Sequence, residues 1–281
     1  MRLRLALLVA SVASAAFAFA SACSSFEDDP LPPPEAGAVE AGPDVAEGGG
    51  SDATSDAGGR FCATVDASFC ADFDLDGIDG GGWNDRAEVR GGFTLVPSDR
   101  SAPNALQGAI LTGDAGSPDA DAAVPENAAA AALVKQLVHG ARTSKVATLD
   151  FDIRVDAISP PALTFIGGMG FDPNPATSEF VSLYVNGSAL AVVAENTPRG
   201  QRDVSKTLAT TPGVGTWFHV TIELTYGGGT RVLVDGSQVF GSQVGLVDKT
   251  SDLIISLGPY QTAPSLSARF SYDNIVARDL P

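Results

Sequence analysis

The sequence predicts an all-β fold: a two-sheet antiparallel β-sandwich preceded by a signal peptide and a disordered linker. Three observations lead there. In the stretch Trp217–Gly236, Phe218, Val220, Ile222, Leu224 and Tyr226 alternate with His219, Thr221, Glu223 and Thr225, the two-residue period of a strand with one buried face. Gly227–Gly229 and Asp235-Gly236 then supply reversals at residues that accept positive φ, so the chain doubles back as a meander. From Phe61 onward, about a dozen short extended segments separated by turn residues, with no convincing long helix, read as two stacked sheets.

The first 60 residues differ in composition from everything that follows. Met1–Ala22 begins with Arg2 and Arg4, runs apolar from Leu5 to Ala20 and ends in small residues before Cys23, the layout of a secretory signal peptide. The run is short and rich in Ala and Ser for spanning the roughly 30 Å hydrocarbon core of a bilayer. Ala20-Ser21-Ala22-Cys23 resembles the lipobox of bacterial lipoproteins, although Ala20 stands where that family usually has Leu. The resemblance implies that Cys23 is lipidated and holds the chain to the outer membrane or cell surface, with Ser24 suiting outer-membrane sorting. Ala20-x-Ala22 also suits an ordinary signal peptidase, so a simply secreted chain is the alternative. Ser24–Gly59, with Pro30-Leu31-Pro32-Pro33-Pro34 and two glycine clusters, has few core-forming residues and reads as a tether reaching on the order of 30–40 Å.

The 281 residues carry 34 acids against 17 bases, a net charge of −17. From Phe61 onward there are 25 acids and 14 bases, so the folded part is itself acidic at −11. Such a domain repels phosphate backbones and anionic headgroups, which argues against nucleic acid as a partner. Of the three cysteines, Cys62 and Cys70 lie within a nine-residue span that export would oxidise to a disulfide, leaving Cys23 unpaired.

Phe69–Phe73 is the first strand candidate, and it runs into Asp72, Asp74 and Asp76 before Gly77. That D-x-D-x-D-G spacing matches the opening of an EF-hand calcium loop. The rest departs from it, with Trp83 at the twelfth position and Asp79 at the eighth, so an acidic turn after a strand stays open beside calcium. Strands are expected over Phe93–Pro97 and Ala105–Leu111, then a surface insertion over Gly113–Ala132, then a strand at Leu133–Val138. Ala128–Val138 has helix propensity as well. In Lys145–Val155, Ala147, Leu149, Phe151, Ile153 and Val155 face in, leaving Asp150, Asp152 and Arg154 as a solvated salt-bridge ladder. Leu163–Phe171 follows, then Phe180–Val185 and Ala189–Glu195 about the hairpin signal Asn186-Gly187, then Asp203–Ala209, the central meander, Leu253–Leu257 and Ala268–Ala277.

Trp217-x-His219-Val220-x-Ile222, Val232-x-Val234-Asp235-Gly236 and Tyr272-Asp273-Asn274-Ile275-Val276 together resemble the laminin-G-like, concanavalin A-like jelly roll. Phe69-Cys70-x-Asp72-Phe73-Asp74 with Gly82-Trp83, and Ser101–Leu106, resemble the opening strands of exported bacterial members. The resemblance spans residues 61–281 and implies a fold that hosts lectins, adhesion modules and hydrolases alike. It also implies that Trp83 and Trp217 pack in the core.

No catalytic motif stands out. The E-x-D-x-x-E strand of laminarinase-type hydrolases on this fold is missing, and such retaining chemistry needs two facing carboxyls. Glu223 reads as solvent decoration, and His139 and His219 belong to no metal-spaced set. Sugar binding needs aromatic platforms, for which Tyr184 and Tyr260 are the open candidates. The sequence therefore points to a non-catalytic cell-surface lipoprotein that binds carbohydrate or a surface protein. A divergent polysaccharide hydrolase or lyase, and a purely structural or adhesion module, are its alternatives.

Overall fold

The computed structural model describes residues 61–74, 77–80, 82–101, 103–110, 129–137, 146–158, 163–171, 179–186, 189–197, 200–204, 208–210, 213–244, 252–261 and 267–279. The leader, Cys23, the tether, Asp76, His139 and the Asn186-Gly187 turn's glycine lie outside them. A 3₁₀ turn at Phe61–Thr64 precedes β1 (Phe69–Ala71) and a helical turn at Gly77–Gly80. The strands then run β2 (Asp85–Val89), β3 (Gly91–Pro97), β4 (Asn104–Ile110), β5 (Ala129–Leu137), β6 (Val146–Ile158), β7 (Leu163–Phe171) and β8 (Glu179–Asn186). They continue with β9 (Ala189–Asn196), β10 (Gln201–Val204), β11 (Leu208–Thr210), β12 (Trp217–Thr225), β13 (Thr230–Val234), β14 (Ser237–Ser242), β15 (Leu253–Gln261) and β16 (Ala268–Arg278).

These strands form two antiparallel sheets. Sheet I has the order β14-β13-β12-β6-β16-β4-β3, with β1 on β16; sheet II has the order β10-β9-β8-β7-β15-β5-β2, with β11 on β9. The all-β sandwich expected from the sequence is the observed architecture. Phe218, Val220, Ile222 and Leu224 of β12 and Leu149, Phe151 and Ile153 of β6 are each at most 1% exposed. They meet Ile166, Met169, Phe171, Leu183 and Leu257 from sheet II in one continuous core. Each such side chain stabilises the fold by about 1.5–3 kcal/mol on burial. The Asp235-Gly236 reversal has φ of 47° and 75°, the paired left-handed turn that suits the twist of two strands.

Four expectations change. β2 is a strand that alternation does not predict, because Asp85-Arg86-Ala87-Glu88-Val89 offers only two apolar residues and owes its place to pairing with β5. The alanine run is extended, since Ala129 and Ala131 slot into the core between the sheets and tertiary packing overrides helix propensity. Asp203–Ala209 is two short strands on β9 rather than one. Trp217 is half-buried on the outer face of sheet I, because β12 alternates from an inward Phe218. Trp83 does pack against the core, its ring edge-on to Phe69 at 4.9 Å.

Candidate functional site

Two outer faces carry the chemistry-bearing side chains. On sheet I the register sets Trp217, His219, Thr221 and Glu223 of β12 beside Arg154, Asp152, Asp150 and Thr148 of β6. The expected solvated ladder is corrected here: Asp152 is only 3% exposed. Its carboxylate accepts Arg100 Nε at 3.0 Å and Nη2 at 3.1 Å, and Asn274 Nδ2 at 2.8 Å. His219 Nδ1 lies 2.9 Å from its Oδ1. Asn274 reaches it because β16 carries a bulge between Asp273 and Val276, where Asn274 takes φ of 50°. Asp150 accepts Thr221 Oγ1 at 2.7 Å and Arg278 Nη1 at 2.6 Å.

The electrostatics follow from these contacts. Burial pushes Asp152 up, but His219, Arg100 and Asn274 more than reverse it and hold its pKa down to about 2. Asp150 is likewise lowered against the push of burial, by His219, Thr221 and Arg278. Asp150 at 3.7 Å and Asp152 at 2.9 Å together lift His219 to about 9. Beside them Asp273 is raised by burial to about 6, although Ser101 Oγ at 2.8 Å and Ser98 Oγ at 2.9 Å both donate to it. Trp217 donates Nε1 to Asp99 at 2.7 Å under the Arg154 guanidinium, 4.9 Å from its ring centre. Glu223 pairs with Arg231 rather than standing alone in solvent. Every carboxylate in this network has a cation or several donors on it among the described residues, so the network clamps the β3–β4 turn to the sheet.

Sheet II differs. Its outer face carries a second apolar cluster including Phe165, Phe180, Tyr184, Ala191, Val193 and Tyr260. Register explains the order: Phe165 of β7 faces Tyr184 on β8 and Tyr260 on β15, so three aromatic rings form one row across adjacent strands. Phe165 meets Tyr184 edge-on at 5.7 Å. The two tyrosines that the sequence offered separately are thus brought to one place. Nothing in the sequence marked Phe165 as their link, because the period of β7 breaks at a bulge between Phe165 and Gly167. Burial pushes the Tyr184 phenol up to about 12 and raises Tyr260 further still. Ser182 bonds to Tyr184, and the Glu195–Arg202 pair, 2.8 Å apart, acts on it through charge. The Tyr260 hydroxyl is buried with no hydrogen-bond partner among the described residues. A neutral phenol with an unspent donor beside aromatic rings can give a hydrogen bond or a proton to an oxygen brought against it.

At the start of the domain Cys62 and Cys70 form the expected disulfide. Asp72 accepts the Cys62 amide at 3.1 Å and Asp74 the Asn104 amide at 3.2 Å, so both carboxylates cap backbone groups. Burial raises Asp74. Among the described residues no three His, Cys, Asp or Glu side chains are grouped to hold a metal.

No protein-family profile and no curated protein matches the chain in sequence. Solved structures match in fold. An endo-β-1,4-glucuronan lyase from the fungus Trichoderma reesei superposes with a TM-score of 0.55 at 15% identity, over 76% of this chain and 95% of its own. A cellulose-induced protein, Cip1, does so with 0.52 at 13% identity, over 75% and 97%. An alginate lyase from Pseudomonas aeruginosa gives 0.44 at 15% identity, over 65% and 84%. The fold of this chain is thus shared with an enzyme, the glucuronan lyase. This corrects the expectation of a non-catalytic module without enzyme activity. That expectation rests on a missing linear motif, whereas register in a sandwich brings side chains together from neighbouring strands, as it does Tyr184, Phe165 and Tyr260.

Proposed function

We propose that the chain is a divergent polysaccharide lyase whose site is the outer face of sheet II. The observation that carries it is the Tyr260 hydroxyl, buried beside Phe165 and Tyr184 with no hydrogen-bond partner among the described residues. In an elimination at a uronate sugar a base takes the proton next to the carboxylate. The electron pair left behind forms the double bond as the glycosidic C–O bond breaks, and an acid protonates the departing oxygen. Tyr260, protonated at neutral pH as any phenol is and with its hydroxyl unpartnered among the described residues, holds a proton for the second transfer. Phe165 gives the sugar ring an apolar floor, and the Arg202 guanidinium, paired with Glu195, acts on Tyr184 through its charge. The likeness of fold to a glucuronan lyase supports the reading. Substrate has to displace whatever lies over the row, since Tyr184 and Tyr260 are 3% and 4% exposed.

The leader extends the proposal. Lipidation of Cys23 after the Ala20-Ser21-Ala22 stretch would display the sandwich on a tether outside the cytoplasm, where polysaccharide is met. The test is incubation of the purified chain with glucuronan and with alginate, following the ultraviolet absorbance of the unsaturated uronyl end that elimination creates. Absorbance should rise with the wild type, and Tyr260→Phe should slow it about a hundredfold. Tight binding with no new absorbance would make the protein a glycan-binding module, and neither signal would leave an adhesion role.

A further inference from the structure

We infer that Tyr272, on the opposite sheet, is a positioning residue for the aromatic row; the inference rests on the lyase reading for its consequence but not for its geometry. Tyr272 is fully buried in β16 of sheet I, and its hydroxyl crosses the core to donate to the carbonyl of Ile166 at 3.0 Å in sheet II. The Gly258 amide faces the Tyr272 phenol oxygen. Both contacts fall where the strands of sheet II lose register. Between β7 and β8, Ile166 is the extra residue between the pairs Phe165–Tyr184 and Gly167–Leu183. Between β7 and β15, Gly258 and Pro259 stand opposite that one residue, between the pairs Leu257–Gly167 and Tyr260–Phe165.

The bulge decides which way Phe165 points. Met169 and Phe171 face the inner core, and strict alternation would bring Phe165 inward with them. Instead Ile166 belongs to the inner core, and a Cβ on Gly167 would meet Leu257 Cδ2 at 2.6 Å and Phe151 Cζ at 3.4 Å, so both positions face inward. Two successive inward residues turn Phe165 to the outer face, where it sits between Tyr184 and Tyr260. Gly258 at φ of 120° makes the matching kink in β15, on ground that only glycine occupies, since a Cβ there would meet Ala131 O at 2.0 Å. One phenol thus holds both halves of a composite bulge from across the sandwich.

The test uses the chain's four tyrosines, Tyr184, Tyr226, Tyr260 and Tyr272, labelled with ¹³C at the phenol carbon. Tyr272→Phe should shift the Tyr184 and Tyr260 resonances at neutral pH, leaving Tyr226, which donates to Asp279 elsewhere, in place. Tyr226→Phe is the control for general loosening and should leave Tyr184 and Tyr260 unmoved. On glucuronan, Tyr272→Phe should lower kcat about tenfold with KM little changed. Gly167→Ala, which presses on the same bulge through the flexible end of Leu257, should shift the same two resonances, and decides the matter if Tyr272→Phe does not fold. Unmoved Tyr184 and Tyr260 resonances in the folded variants would overturn the positioning role. Resonances that move in a protein whose wild type cleaves no uronate would uphold the positioning and remove the lyase reading instead.

Discussion

His219 Nδ1 stands 2.9 Å from Asp152 Oδ1, on a pair of strands whose alternate side chains all face the core. The contact joins β12 to β6, while Arg100 and Asn274 bring the β3–β4 turn and the β16 bulge to the same carboxylate. Four elements therefore depend on the charge state of one small cluster.

That dependence gives a pH window. Asp152 is held down to about 2 from 3.8, so its contribution is present above 3.8 and lost as pH falls through 2. His219 is lifted to about 9 from 6.5, so its contribution is complete below 6.5 and lost as pH rises through 9. Asp273, raised to about 6 from 3.8, loses its contribution as pH rises through 6. The cluster supports the fold most at mildly acidic pH. His219→Gln should lower Tm by roughly 2–4 °C there, about 1 kcal/mol once discounted for the half-exposed ring, and by much less at pH near 10. Thermal melts of both proteins across pH check this.

Asp152→Ala leaves Arg100, His219 and Asn274 facing a cavity where a buried carboxylate had been. A loss of about 2–4 kcal/mol is expected, at the lower end because Arg100 reaches solvent. Denaturant unfolding measures it. Asp152→Asn, which keeps the shape and loses the charge, should fall between the two.

The Cys62–Cys70 bridge closes a nine-residue span and ties the 3₁₀ turn to β1 at the edge of β16. Chain entropy predicts that Cys62→Ser with Cys70→Ser destabilises by roughly 2.5 kcal/mol. Reduction of the wild type should lower Tm to the value of the double variant, and that variant should not respond to reductant.

Gly258→Ala should be the most damaging of the single-methyl changes. The residue sits at φ of 120°, and the added carbon would meet Ala131 O at 2.0 Å and Phe93 Cζ at 2.9 Å. Strain and overpacking together predict a loss of about 3 kcal/mol or more. Gly200→Ala, at φ of 62° with no atom within 4 Å, isolates the backbone part and should lose about 1 kcal/mol.

What the sequence determined by itself is the layering. Alternation in β6 and β12 is a local property, written residue by residue. It fixed which side chains enter the core and that the chain stacks as two sheets. The same rule named Tyr184 and Tyr260 only as isolated aromatics and read Asp152 as solvated, because one strand's period says nothing about which strand lies beside it. Register between distant strands made those decisions. It set Phe165 between the two tyrosines across β8, β7 and β15, and it brought Arg100, Asn274 and His219 onto Asp152 from three elements. Bulges at Ile166 and Asn274, where pairing with a neighbour replaces alternation, are where local pattern stops being informative and tertiary contact takes over.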